Sequence, residues 1–295
     1  MAHLIDTAVL LLCINTVLGS SSLLRRTCIN EDCTAIRVAI NNPPINLWDV
    51  NVIHQLNTFL HGLSNDNHTK IVVVSSAVPG FFGAQIDLNL ITPNIPQGVN
   101  VTEVFDQYYE NLGLIQQLPF IFIAEVDGRA WGAGDEHLLR MDMRFAGPDA
   151  QFGAPEAAVG LIHVGGTQQL VRLISPGLTS EYMLSAAQVN ATEAARIGWV
   201  NSAYPTAAAL RQHVDRLASR IALFHIEVIR ATKTSIARQA PSAQMFQSDL
   251  KLFNDLAAEP FLIANVKTIL ELSKNQSIYW EYNNNDNIAR SIYQS

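Results

Sequence analysis

Hydrophobic residues in this chain occur in short solid runs and in helical stripes. Residues 34–40, 70–75 and 120–126 are apolar, β-rich runs that predict buried strands. Residues 50–63 carry apolar side chains at 52, 53, 56, 59, 60 and 63, the spacing of an amphipathic helix. A second helix is predicted over 101–117, where Tyr108 and Tyr109 either pack or line a tunnel, packing being the plainer reading. Turn chemistry separates these elements. Asn41-Asn42-Pro43-Pro44-Ile45-Asn46 closes the first run, and a polar, proline-bearing loop covers 93–99. From Ala207 onward the apolar spacing is helical almost throughout, with a break at Pro241.

The segment from Gly128 to Glu156 has a different character. The run 120–126 leads into glycines at 128, 132 and 134, and then Leu138, Leu139 and Met141 fall at helical spacing. The reading is strand, glycine turn, helix. Free N–H groups and the positive dipole end of that helix make an anion site near Ala133 and Gly134. Glu136 and Glu156 bracket the segment. Taken singly, Glu136 reads equally well as an acid favoured in a helix first turn, and Glu156, after Pro155, as a cap of the next segment.

Composition narrows the field. Apolar residues make up 48% and charged residues 15% of 295, enough for a large packed core. A formal net charge of −7 and the lack of a Lys/Arg run argue against a nucleic-acid surface. No apolar stretch reaches about 18 residues, the length of a membrane span. The three cysteines, Cys13, Cys28 and Cys33, all lie near the N-terminus, and none has zinc-site spacing. There is no Gly-x-Ser-x-Gly elbow, phosphate loop or dinucleotide fingerprint.

Residues 7–18 are apolar apart from Thr7, Asn15 and Thr16, and Gly19-Ser20-Ser21-Ser22 follows. This resembles a signal-peptide core without its basic start. A presequence, favoured by Arg25-Arg26, and a retained interface helix are the other readings. Secretion would expose sequons at Asn67, Asn100, Asn190 and Asn275 to glycosylation.

The ordered motifs carry a family resemblance. Gly128-Arg129-Ala130-Trp131-Gly132-Ala133-Gly134-Asp135-Glu136, then Asp142, then Phe152-Gly153-Ala154-Pro155-Glu156 resemble the signature of the crotonase superfamily, the enoyl-CoA hydratases and isomerases. Phe82, Ala84, Asp87 and Leu88 match a further motif, and Gly165-Gly166-Thr167-Gln168-Gln169-Leu170 another. The resemblance implies an α/β fold, a spiral of repeated ββα units with a C-terminal helical trimerisation region. It divides the chain into an N-terminal apolar segment (1–33), a core (34–205) and a helical region (206–295). Backbone N–H groups of Ile86 and Ala133 would form the oxyanion hole, and Glu136 and Glu156 would be catalytic. Ala84, Gln85, Asp87, Leu88, Gly132 and Gly134 would bind substrate. No metal or separate cofactor is implied, since coenzyme A comes with the acyl-CoA substrate. The expected partner is the chain itself, as a homotrimer or dimer of trimers, located inside the cell where acyl-CoA is made, in cytoplasm or mitochondrion. Keeping both glutamates favours a hydratase. An isomerase, a thioester hydrolase and an inactive acyl-CoA binder are the alternatives.

The departures from the pattern are Gln85 for glycine, Ile86 for alanine, Ala133 for the middle glycine, and His163-Val164 for Pro-Gly. Were position 85 to need a positive φ, glutamine there would cost about 1–2 kcal/mol. Asp135 is expected to be solvated or a helix cap. His163 falls near the site, yet a lone histidine usually reads as structural.

Overall fold

The computed structural model describes residues 22–92, 95–283 and 288–294. The apolar stretch 7–18 and the first part of the 93–99 loop lie outside those residues.

Ten strands are described: β1 Leu24–Cys28, β2 Ala35–Ile40, β3 Ile71–Ser76, β4 Gly80–Gly83, β5 Ile121–Val126, β6 Gly128–Trp131, β7 Met143–Ala146, β8 Gln151–Gly153, β9 Val189–Asn190 and β10 Ser202–Ala203. Thirteen α-helices accompany them. Those between the strands are α1 Val50–Ser64, α2 Val101–Gln117, α3 Ala133–Leu139, α4 Glu156–Val159, α5 Thr167–Ile174, α6 Pro176–Ser185 and α7 Ala191–Ile197. After β10 come α8 Ala207–Ala222, α9 Ile226–Ala237, α10 Ala243–Ala257, α11 Pro260–Leu272, α12 Ile278–Asn283 and α13 Ile288–Tyr293.

The strands form two sheets, ordered β1-β2-β3-β5-β7-β10 and β4-β6-β8-β9. Strand pairs β3β4, β5β6 and β7β8 each put the first member in the larger sheet and the second in the smaller. A helix follows each pair, so the chain winds as repeated ββα turns with mostly parallel neighbours.

Alternation along the strands explains the layering. Ile36, Val38, Ile40, Val72 and Val74 face a core built with α1 and α2, while Ala35, Ile71, Val73 and Ile123 face α8. With both faces covered, the strands read as solid apolar runs. The 34–40 and 70–75 runs are therefore β2 and β3. The exception inside β2 is Arg37, buried against Glu125 at 2.6 Å and Asp215 at 2.8 Å.

β1 is the strand the hydrophobic pattern does not announce. Its burial is slight and it carries Arg25 and Arg26, so no apolar run marks it. It pairs antiparallel with β2 as an edge, and a Cys28–Cys33 disulfide spans the turn between them. Edge strands commonly carry charge.

Asn100 and Asn190 accept from Glu103 and Glu193 N–H groups and cap α2 and α7. Pro241 lies between α9 and α10, where the helical pattern breaks. A separate apolar cluster joins Leu88, Ala158 and Val159 to Leu262, Val266, Ile269 and Trp280, holding the C-terminal helices over the end of the strands where the glutamates lie. Among the described residues no helix is long and apolar enough to cross a membrane.

Candidate active site

Two strand ends converge at the site. β4 runs into residues 84–88, and this loop is fixed by a one-residue parallel bridge between Trp48 and Ile86. Trp48 N–H donates to the Gln85 carbonyl and Asp87 N–H to the Trp48 carbonyl, both at 3.1 Å. In such a bridge the central residue's own N–H points away from its partner strand. Ile86 N–H accordingly has no hydrogen-bond acceptor among the described residues.

Gln85 is not in the left-handed region, so the strain considered for it does not arise. Its amide instead reaches Glu281 Oε1 at 3.0 Å. Leu88 N–H donates to Gln276 Oε1 at 3.1 Å, and Gln276 Nε2 donates to Asp87 Oδ1 at 2.9 Å. Residues 276–281 thus clasp the loop from outside.

β6 supplies the other half. Gly132 N–H is taken by the Gly153 carbonyl at 3.0 Å, and α3 starts immediately after. Ala133 N–H lies in the unpaired first turn and has no acceptor among the described residues. Gly134 is packed so closely on β4 that a Cβ there would stand 2.2 Å from the Gly83 carbonyl oxygen.

Ile86, Ala133, Glu136 and Glu156 line one cavity of about 50 Å³, with Tyr108 and Tyr109 on its far wall. The two tyrosines therefore line space as well as pack. A second cavity of about 60 Å³ lies across Ile86 and Glu156, bounded by Gln85, Leu88 and Trp131 and roofed by α11 and α12. The other residues proposed for substrate binding do not face a cavity in the same way. Ala84 packs with Ile45, Val78 and Phe81, and Asp87 caps the short 3₁₀ turn Leu88–Ile91. Gly132 is the hinge before α3, with its backbone against Glu156 and Gln85.

His163 enters this site directly. The imidazole is buried, with Nδ1 3.5 Å from Glu136 Oε1 and 3.3 Å from Glu156 Oε2. Its Nε2 lies 3.1 Å from Asp135 Oδ2. Asp135 is completely buried, and its second oxygen accepts from Trp199 Nε1 at 2.9 Å. The expectation of a solvated or capping Asp135 is therefore corrected. In so short a helix, packed on all sides, every residue from Ala133 to Leu139 is buried, and the carboxylate is compensated by His163 and Trp199.

Electrostatics follow from this burial. Desolvation pushes Glu136 up to about 8, and the Glu156 charge adds to it, while His163 and the Tyr108 hydroxyl hold it back. Tyr108 donates its hydroxyl to Glu136 Oε2 and is itself raised well above its usual range by burial and by that carboxylate. Burial acts to lower His163, but Glu156, Asp135 and Glu136 together raise it well above the ordinary histidine value. Burial also raises Asp135, opposed by His163 and Trp199. His137, one turn of helix from the site, is pushed by burial down to about 3 and is neutral. It stacks on Trp48 at 3.8 Å and donates Nδ1–H to the Ala133 carbonyl at 2.8 Å.

Glu136, Glu156 and His163 each bring one donor atom within 4.8 Å of the others, a spacing compatible with a cation. The contacts these groups make with one another are those of His163 Nδ1 with the two glutamate carboxyls. Sequence reasoning placed His163 nearby but read it as structural, and it missed the Tyr108 and Trp199 contacts. The available signal was the departure itself, a titratable side chain where the resembling family has proline.

Comparison with known proteins agrees with this architecture. The family described as Enoyl-CoA hydratase/isomerase matches residues 31–268. The chain is 31% identical over 232 residues to the 2,3-dehydroadipyl-CoA hydratase of Escherichia coli K12, covering 76% of this chain and 84% of that enzyme. It is 30% identical over 167 residues to the short-chain-enoyl-CoA hydratase of Clostridium acetobutylicum, covering 56% of this chain and 63%, under two thirds, of that protein. Among solved structures, a Streptomyces avermitilis protein provisionally assigned as an enoyl-CoA hydratase superposes with a TM-score of 0.79 at 29% identity. That match covers 93% of this chain and 99% of the other.

Proposed function

The chain belongs to the enoyl-CoA hydratase/isomerase family, and from that membership and its site geometry we propose that it is a hydro-lyase adding water across the α,β double bond of an acyl-CoA thioester. The observation that carries this reading is that Glu136, Glu156, Ile86 and Ala133 line one cavity, and that the N–H groups of Ile86 and Ala133 have no acceptor among the described residues.

The chemistry needs each of them. Attack of water at Cβ sends electron density to the thioester oxygen as an enolate. Two preorganised N–H donors aimed at that oxygen stabilise it, each worth about 3–4 kcal/mol. The Ala133 donor adds the positive end of α3. One carboxylate takes the proton of water and one carboxylic acid gives a proton to Cα. Glu136, pushed up to about 8 by burial, supports a carboxylic acid present near neutral pH. Loss of this proton above about 8 should lower the rate.

Residues 34–205 then carry the chemistry and the C-terminal helices close the site. Exposed Leu223, Phe224, Val228 and Ile236 at the end of α8 and along α9 are the surface on which copies of the chain would meet as a trimer. Light scattering would return three times the 32.4 kDa chain mass.

A catalytically silent acyl-thioester binder is the second reading, favoured by the small volume beside Ile86. Incubation with a series of trans-2-enoyl-CoA esters separates the readings. Loss of enoyl absorbance with a 3-hydroxyacyl-CoA product supports the hydratase. Gain of that absorbance from 3-enoyl-CoA indicates an isomerase, free thiol indicates a hydrolase, and binding without turnover indicates the silent protein.

A further inference from the structure

We propose that His163 is a positioning residue and proton relay that returns the proton between Glu136 and Glu156 after each turnover. The inference rests on the hydratase reading above and adds a residue and a step to it.

Hydration leaves the pair in the wrong state for the next cycle. The glutamate that took the proton of water ends as an acid, and the one that protonated Cα ends as a carboxylate. One proton must cross between them. Glu136 is buried and closed off further by the Tyr108 hydroxyl, so solvent reaches it poorly, while the Glu156 side chain is 15% exposed. His163 Nδ1 faces both, at 3.5 and 3.3 Å, and a small rotation of either carboxyl brings it to hydrogen-bond length. Nδ1 makes no regular hydrogen bond of its own, and neither does Glu156 Oε2. In the relay the Nδ1–H proton passes to the spent carboxylate and Nδ1 then takes the proton of the other glutamate. One proton has moved and the imidazolium is restored.

The surroundings hold the ring for this role. Nε2–H stays on Asp135, which Trp199 fixes from the other side. Gly166 lies flat against the ring, where a Cβ would stand 2.0 Å from His163 Cδ2. The groups that set the charge of the ring are Asp135 and Glu136 on α3 and Glu156 on α4. Arg140 and Tyr108 act on it through Glu136. The raised basicity of His163 agrees with an imidazolium at rest. The ring lines neither cavity beside the glutamates, so it acts through them and not on substrate.

The test is the pH profile of enoyl-CoA hydration in the wild type and His163→Gln. Loss of the relay should lower kcat by about 10²-fold, the scale of general acid–base assistance, with KM unchanged. Loss of the positive charge should move the alkaline limb of the profile to higher pH, since the imidazolium favours ionised Glu136. An unshifted profile with wild-type kcat would overturn the relay and leave the hydratase standing. A wild type inactive on every enoyl thioester would remove the hydratase reading and the relay with it. Should His163→Gln not fold, imidazole ¹⁵N resonances of the intact protein decide the matter. A doubly protonated His163 at neutral pH that loses its proton at lower pH in Glu136→Gln supports the relay, and a neutral ring indifferent to Glu136 contradicts it.

Discussion

Gln85 Nε2 donates to Glu281 Oε1 at 3.0 Å, across 196 residues of chain. The loop that presents the Ile86 N–H is thus held by α12 rather than by its own strand alone. Gln276 reinforces the clasp from the same segment. Gln276→Ala would leave the buried Leu88 N–H unsatisfied, a penalty of about 1–3 kcal/mol. The expected outcome is a lower kcat with a smaller change in unfolding midpoint, because the loop loses its angle before the core loses its packing. Steady-state kinetics beside a denaturant titration would check this. A kcat equal to wild type would show that the loop is set by the Trp48 bridge alone.

Gly134→Ala is expected to be far more damaging than its size suggests. The added Cβ meets backbone, the Gly83 carbonyl oxygen at 2.2 Å, and not a side chain that can turn aside. Either β4 or α3 must move, at the usual overpacking cost of about 1–3 kcal/mol, and the N–H groups of Ile86 and Ala133 that follow these elements move with them. Thermal unfolding and hydratase activity should fall together. Ala133→Gly, which adds nothing and keeps the N–H, should retain activity.

His137 gives the protein an acid-sensitive element. Its pKa is about 3 in the folded chain, against about 6.5 unfolded. Below 6.5 the unfolded chain binds a proton that the folded chain does not, so stability falls as pH drops from 6.5 toward 3. The slope is about 1.4 kcal/mol per pH unit. His137→Phe keeps the stacking on Trp48 and removes the titration. Urea midpoints measured at pH 7 and pH 5 should diverge more for the wild type than for this variant. Equal pH dependence would contradict the assignment.

Much of this protein was legible in its sequence, and the parts that were not have physical causes. β2, β3, α1 and α2 follow directly from apolar runs and helical stripes, because each is buried on a defined face. The glycine turn and the two glutamates were legible through motif spacing. β1 was not, since an exposed edge strand with two arginines has no hydrophobic signature. Asp135 was misread because a fully buried carboxylate is recognisable only from its partners, and those lie 28 and 64 residues away. His163 escaped for the same reason: nothing in its local sequence says that two glutamates converge on its ring.

The proposed joint action of Glu136 and Glu156, which line one cavity, is tested most directly by hydration of crotonyl-CoA, followed as loss of enoyl absorbance, in the wild type and Glu156→Gln. The amide keeps the shape of the side chain but can neither take nor give the proton. The expected result is an active wild type and a variant reduced by about 10²–10⁴-fold in kcat, with CoA-ester binding retained. A variant that hydrates crotonyl-CoA at the wild-type rate would contradict the two-carboxylate account.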